Sequence, residues 1–162
     1  MQNYTGVAAA AGAGPIAGSV VNPVGVNNVQ WIIPAGVRRL TLLARGVPVP
    51  QGSIARLGAS GGLLTSGYAS SIIYTGSTTS SKTEIFDGFL LPECENNATS
   101  SLCVTIYRLS PNSWNFTGMS RVNASYMFLA AGSVQLPGEL TTLSCIFPSM
   151  INSGSLQLLW EF

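Results

Sequence analysis

Short runs of alternating apolar and polar residues cover most of the chain from residue 29 onward. In residues 155–161 the apolar side chains of Leu156, Leu158 and Trp160 alternate with Ser155, Gln157 and Leu159. Residues 101–109 are rich in residue types that favour strands. A period of two is that of a β-strand with one buried face, and the 3.6-residue period of a helix is almost absent. The pattern therefore predicts an all-β chain.

Turn-forming residues separate these runs. Strands are predicted over residues 37–45, 53–58, 69–74, 83–90, 101–109, 114–122, 125–130, 139–147 and 152–161. Residues 110–113 predict the turn of a hairpin, and the polar stretch 91–100 predicts an exposed loop. Roughly eight to ten short strands with this spacing favour an antiparallel two-sheet β-sandwich, jelly-roll-like in its topology.

The first 28 residues differ from the rest of the chain. No charged side chain occurs before Arg38, Ala and Gly are abundant, and Pro15 and Pro23 disfavour a long helix or a central strand. We expect residues 1–28 to form an extended N-terminal arm that becomes ordered against a neighbouring subunit, ahead of a sandwich domain at 29–162. The alternative is a disordered leader or a first strand that completes the sandwich.

The composition limits the partners of the chain. Charged residues make up 8% of its 162 residues, against roughly 25% in an ordinary soluble protein, and the net charge is +1. Such a surface is weakly protected against association and offers no basic face for nucleic acid. A secreted Ser/Thr-rich β-protein would have a similar composition. No apolar run is long enough for a membrane-spanning helix, so no membrane insertion is expected.

Few residues of this sequence are candidates for catalysis or metal binding. Without histidine, Ser-His-Asp and Cys-His arrangements are excluded, and Glu84 with Asp87 and Glu93 with Glu95 are the remaining acid/base pairs. The odd spacing of the first pair places its members on opposite strand faces, and the second pair lies in a stretch expected to be solvated. We therefore expect no enzyme activity and no catalytic residue. The same residue content predicts no metal site and no cofactor.

The chain has three cysteines, an odd number, at positions 94, 103 and 145. A disulfide between Cys94 and Cys103 would close a short loop. A protein that assembles in the cytosol would instead keep all three as thiols. The sequence leaves both alternatives open.

Four arginines are the candidate contacts to a neighbouring subunit. Arg39 and Arg45 share one face of the strand at 37–45, Arg38 faces the other way, and Arg56 lies on the next strand. We expect them to contact acidic groups of an adjoining subunit. Trp114 is the candidate for stacking on a glycan, whereas Trp160 falls on the apolar face of its strand and is expected in the core.

Several motifs carry a resemblance to a known family. Residues 33–40 read I-P-x-G-V-x-R-L, residues 52–58 read G-S-x-x-x-L-G and residues 61–68 read G-G-x-x-T-S-G-Y. Together with Asn112, Trp114 and Gly118 and the closing strand, this order resembles a small β-sandwich domain of tailed bacteriophages. That family occurs in tail fibres and in virion decoration proteins. The chain departs from it where Arg56 replaces a glutamine.

The resemblance implies a function as well as a fold. It implies a non-enzymatic homotrimer that decorates or cements the capsid surface, contacts the major capsid protein or tail proteins, and assembles in the host bacterial cytoplasm before residing in the virion. A tail-fibre or tail-associated module that contacts the host receptor is the alternative within the family. A carbohydrate-binding module that recognises a host-surface glycan is the alternative of another class. The shortness of the chain favours capsid decoration.

Overall fold

The computed structural model describes residues 2–5, 14–75, 80–94, 101–121 and 127–162. Within them the chain forms fourteen strands and no helix, arranged in two sheets. Sheet A contains β1 (Gln2–Thr5), β3 (Asn28–Ile32), β5 (Ile54–Ala59), β6 (Gly62–Leu63), β9 (Phe89–Leu90) and β13 (Thr142–Ile146). Sheet B contains β2 (Ile16–Val21), β4 (Arg39–Arg45), β7 (Tyr68–Thr75), β8 (Ser80–Ile85), β10 (Ser101–Ser110), β11 (Ser113–Arg121), β12 (Met127–Gln135) and β14 (Ser155–Glu161). The predicted β-sandwich is confirmed.

The strand order shows how the chain is wound between the sheets. Sheet A runs β1-β3-β13-β5-β6, with β9 also paired to β5, and sheet B runs β2-β14-β4-β10-β11-β12-β7-β8. The chain crosses from one sheet to the other at most connections, so strands adjacent in space are often distant in sequence. Among the fourteen described strands, β1 and β3 pair in parallel and the other pairings are antiparallel. The predicted hairpin is present as β10 and β11, with Pro111 and Asn112 in its turn.

Residues that alternate along the strands form one core between the sheets. In β14 the side chains at 156, 158 and 160 are buried and those between them are partly exposed, as the sequence predicted. The core cluster combines side chains of sheet A, such as Trp31 and Leu143, with side chains of sheet B, such as Leu42 and Trp160. Burial of this apolar surface is the main contribution to stability.

An aromatic cluster ties the short strand β9 to both sheets. The Phe89 ring stacks on Phe116 with centroids 4.7 Å apart, and Tyr68 meets Phe89 edge-on at 5.0 Å. Gly132 makes room for this packing, because a Cβ there would lie 2.6 Å from the carbonyl oxygen of Ala69 and 3.0 Å from the Phe89 ring. The small residue in the middle of β12 is therefore required by the core.

Two expectations for residues 83–100 are corrected. Residues 83–90 do not form one strand: β8 ends at Ile85 in sheet B, the chain bends over 86–88, and β9 belongs to sheet A. Residues 91–94 are not an exposed loop, because Leu91 and Cys94 are buried. The Leu91 N–H donates to the Ser53 carbonyl, and Cys94 forms a β-bridge with Val49. These backbone pairings hold residues 91–94 against the core. Residues 95–100 lie outside the described residues.

Residues assigned to an N-terminal arm contribute a strand to each sheet. β1 pairs in parallel with β3, and β2 pairs with β14 at the edge of sheet B. Val21 is buried in the core. Residues 16–21 therefore correspond to the alternative of a strand that completes the sandwich. Contact of residues 1–28 with a neighbouring subunit stays a prediction.

The stability of the fold should decrease at alkaline pH. Burial raises the pKa of Tyr68 from 10.0 to about 12 and that of the Cys145 thiol from 9.0 to about 12. Both groups bind their protons more tightly in the folded chain, so the unfolded chain is favoured as pH rises above about 9 and on toward about 12. The loss should be at most about 1.4 kcal/mol per pH unit for each group.

Urea unfolding at a series of alkaline pH values measures this loss. The Tyr68→Phe variant should be less stable at neutral pH, because the Tyr68 hydroxyl accepts from the Leu57 N–H at 2.8 Å and donates to the Leu57 carbonyl at 3.3 Å. Above pH of about 10 its stability should fall less steeply than that of the wild type. Identical slopes in the two proteins would contradict this assignment.

Candidate functional site

Two of the four predicted arginines are paired within the chain. Arg56 of β5 donates from Nε to the Asp87 carbonyl at 2.7 Å and from Nη2 to the Asp87 carboxylate at 3.0 Å. Arg39 of β4 lies 3.7 Å from the Glu161 carboxylate on the neighbouring strand β14. Both carboxylates belong to residues far away in sequence. These two arginines therefore already have acidic partners inside the subunit.

The other two predicted arginines lie at opposite ends of β4. Arg45 is exposed at the end of the strand, on the outer face of sheet B. Arg38 immediately precedes β4 and lies beside Arg108, because the Arg108 N–H donates to the Arg38 carbonyl at 2.8 Å. The structure does not gather the four arginines into one patch. Arg108 was missed from the sequence, because its proximity to Arg38 depends on the pairing of β4 with β10.

A row of apolar side chains crosses the outer face of sheet B. Cross-strand pairing places Leu43, Cys103, Met119, Leu129 and Ile73 side by side on β4, β10, β11, β12 and β7. Met119 is 55% exposed, and Leu129 and Ile73 are each 44% exposed. With strands about 4.8 Å apart, this apolar row is about 19 Å long. Contiguous exposed apolar surface of this kind is typical of an interaction site.

The neighbouring row on the same face is also uncharged. Thr41, Thr105 and Thr117 pair with one another across β4, β10 and β11, and the row continues through Ala131 and Ser71. Short side chains here leave the apolar row accessible. Over β4, β10, β11, β12 and β7 these two rows contain no charged residue, and on the next strand, β8, they continue with Lys82 and Glu84.

The outer face of sheet A is more polar. There the row through β3, β13 and β5 consists of Gln30, Ser144 and Arg56. The Ser144 hydroxyl donates to the Asn28 side-chain oxygen at 2.8 Å, and Arg56 is paired with Asp87. The extended apolar row is thus a property of sheet B among the faces that the structure describes.

A groove of about 430 Å³ lies beside the apolar row. Small side chains of β7 and β12 form its floor, including Ser71, Ala131 and Ser133, and Asn115 of β11 borders it. Phe86, in the bend after β8, lines one side and is 68% exposed. The sequence analysis missed Phe86, because it placed this residue inside a continuous strand. An exposed aromatic ring beside polar groups is the arrangement that a sugar ring can stack on.

Trp114 does not occupy such a position. Its side chain is 1% exposed in the core, on the inward face of β11. Because a sugar must reach the face of the ring to stack on it, the buried indole is unsuited to glycan contact in this structure. The expectation is corrected, and Trp160 lies in the core as expected.

The structure does not bring the candidate carboxylates and the cysteines together into one site. Asp87 is paired with Arg56, and partial burial raises the pKa of the Glu93 carboxyl; Glu95 lies outside the described residues. Cys94, Cys103 and Cys145 are all thiols, with Cys103 exposed in the apolar row. Within the described residues, no group of three His, Cys, Asp or Glu side chains could hold a metal ion. No helix in this part of the chain has the length and apolarity to cross a membrane.

Comparison with protein-family models and with curated proteins found no match to this chain.

Proposed function

We propose that the chain is a non-enzymatic structural protein of a tailed-bacteriophage virion, a homotrimer that decorates the capsid surface. The observation that carries the proposal is the apolar row on sheet B. A single subunit leaves this row in water, whereas a subunit packed against another copy buries it. Removing apolar surface from water is the usual driving force for association, about 25 cal/mol for each Å².

The small number of charged residues on the outer face of sheet B also supports assembly. Over the five strands from β4 to β7, the apolar row and the threonine-containing row beside it contain no charged residue, and Lys82 and Glu84 of β8 lie at their end. Burying these two rows would therefore remove few charged groups from water, and so would avoid most of the desolvation cost that opposes the burial of charge. The motifs resembling phage decoration proteins and tail fibres support placement in a virion. The fold itself occurs with many functions and supports no placement by itself.

Two measurements test the proposal. Sedimentation velocity of the purified chain should give the mass of three subunits, and electron microscopy of particles should find many copies at threefold positions of the capsid. A handful of copies at one vertex would favour the tail-associated alternative. A monomer at every concentration would contradict the assembly on which both depend.

A carbohydrate-binding function is the second candidate, and the groove beside Phe86 favours it. Its floor of Ala, Ser and Gly is wide enough for one sugar ring, and Glu84 and Asn115 border it with hydrogen-bonding groups. The exposed Phe86 ring would supply the stacking surface, as aromatic side chains supply it for other flat ligands. This function is compatible with a virion protein that contacts a glycan of the host surface.

Replacing Phe86 by alanine tests this second function. Binding on a glycan array should fall at least about tenfold, which corresponds to about 1.4 kcal/mol of lost contact. The matched control is Met150→Ala, because Met150 is 71% exposed and lies outside the groove. Absence of binding by the wild type at about 1 mM sugar would remove the carbohydrate hypothesis.

A further inference from the structure

Arg38 and Arg108 form a pair of like charges at one end of sheet B. The ladder of β4 and β10 ends at the pair of Arg39 with Tyr107, and just beyond it the Arg108 N–H donates to the Arg38 carbonyl at 2.8 Å, so the two arginines lie side by side. Both arginines line a cleft of about 280 Å³ together with Leu109, Ser110 and Pro111.

This pairing is unfavourable for the isolated subunit. Two guanidinium groups that line the same cleft repel each other, since like charges close together raise the electrostatic energy of the subunit. The ion pairs of Arg39 with Glu161 and of Arg56 with Asp87 involve neither Arg38 nor Arg108. Glu139 lies at the same end of the sandwich, where its carboxylate accepts from the Gly36 N–H at 2.8 Å. It makes no ion pair with Arg38 or Arg108 in the described structure.

We infer that the cleft between Arg38 and Arg108 binds an oxyanion. A guanidinium presents parallel N–H donors that match two oxygens of a carboxylate, phosphate or sulfate, and two adjacent guanidinium groups can share one such anion. The anion would replace the repulsion between the arginines by two attractions. Local conflicts of this kind are expected at functional sites, where a ligand resolves them.

The size of the cleft limits the ligand. A volume of about 280 Å³ accommodates one small charged group, and two arginines are too few for the basic face that binds nucleic acid. The oxyanion is therefore either a free inorganic anion or a carboxylate displayed by an adjoining subunit. This inference does not depend on the proposed virion function, because the arginines and the cleft belong to a single subunit.

Isothermal titration calorimetry of the full chain with sodium sulfate, at constant ionic strength set with sodium chloride, tests the inference. Sulfate should bind saturably with a dissociation constant of about 1 to 10 mM. Arg38→Gln and Arg108→Gln should each weaken binding at least about tenfold. The control Arg45→Gln, at the far end of β4, should bind like the wild type. Absence of saturation at about 50 mM, or equal binding by Arg108→Gln, would overturn the inference.

Thermal unfolding gives a second readout that does not rely on heats of binding. Sulfate should raise the Tm of the wild type and of Arg45→Gln more than that of Arg108→Gln, since a ligand stabilises only the state that binds it. In chloride alone, Arg108→Gln should unfold at the same temperature as the wild type or higher, because the like-charge pair is gone. Equal responses of all three proteins to sulfate would contradict a built site.

Sedimentation in sulfate distinguishes the two sources of the anion. If the natural ligand is a carboxylate of an adjoining subunit, sulfate should compete with it and weaken any assembly of the wild type, and sodium acetate should bind to the same cleft. If it is a free anion, sulfate should bind without changing the assembly. Saturable binding with either outcome supports the cleft as an oxyanion site. Sulfate binding by a chain that stays monomeric would show that this site is independent of the proposed assembly.

Discussion

The double substitution Met119→Lys and Leu129→Lys should convert the assembly into folded monomers. These residues pair with each other across β11 and β12 in the middle of the apolar row, and both side chains are well exposed in the isolated subunit. Lysines there would be solvated in a monomer but buried in an assembly that covers this face. Burying an unpaired ammonium group costs several kcal/mol, so the dissociation constant should rise more than about 100-fold.

The control for this prediction is Gln135→Lys. Gln135 is exposed on the same face of β12 but lies at the end of the strand, three alternate positions away from Leu129 along the chain. It should leave the assembly intact. Sedimentation velocity measures the mass, and far-UV circular dichroism checks that both variants retain the β-fold. An unchanged assembly in the double variant would show that the apolar row is not the contact between subunits.

Replacing Gly154 by alanine should destabilise the fold more than other glycine substitutions. Gly154 precedes β14 with φ of +88°, and a Cβ there would lie 2.4 Å from the carbonyl carbon and oxygen of Gly46. The left-handed backbone costs a non-glycine residue about 1 to 2 kcal/mol. The overlap with fixed backbone atoms adds about 1 to 3 kcal/mol. The total loss should therefore be about 2 to 5 kcal/mol in the free energy of unfolding.

The Gly52→Ala variant separates the cost of the left-handed backbone conformation from the cost of steric overlap. Gly52 has φ of +82° but no neighbouring atom within 4 Å of its Cβ position. Its substitution should cost only the conformational part, about 1 to 2 kcal/mol. Urea unfolding of both variants measures the difference. Equal losses would show that the contact between Gly46 and Gly154 relaxes and that the backbone conformation alone accounts for the effect.

The strands with regular alternation were predictable because their burial is a local pattern. β14, β4 and β10 each bury alternate side chains, and the Pro-Asn turn after β10 carries its own conformational preference, with Asn112 at φ of +64°. The segment 83–94 was not predictable in the same way. Phe86 and Asp87 lie where the chain changes sheets, and the burial of Leu91 and Cys94 depends on backbone partners at Ser53 and Val49.

The candidate surfaces were harder to predict than the strands. Arg38, Arg39, Arg45 and Arg56 were recognisable as the charges of two predicted strands that follow each other in the sequence. The partners of Arg39 and Arg56 come instead from β14 and from the bend after β8. Trp114 appeared suited to ligand contact by residue type alone, and the structure buries it. The apolar row gathers one residue from each of five strands. No single segment carries enough of it to be noticed.

The sequence by itself determined the strand class, the hairpin at residues 101–121 and the inward face of each regular strand, because these depend on neighbours within a few residues. The tertiary structure decided which strands lie side by side. That pairing placed Arg108 beside Arg38, aligned Met119 with Leu129 and set Phe86 beside the groove. The physical reason is that register between strands far apart in sequence is set by burial of the whole core, which no local pattern contains.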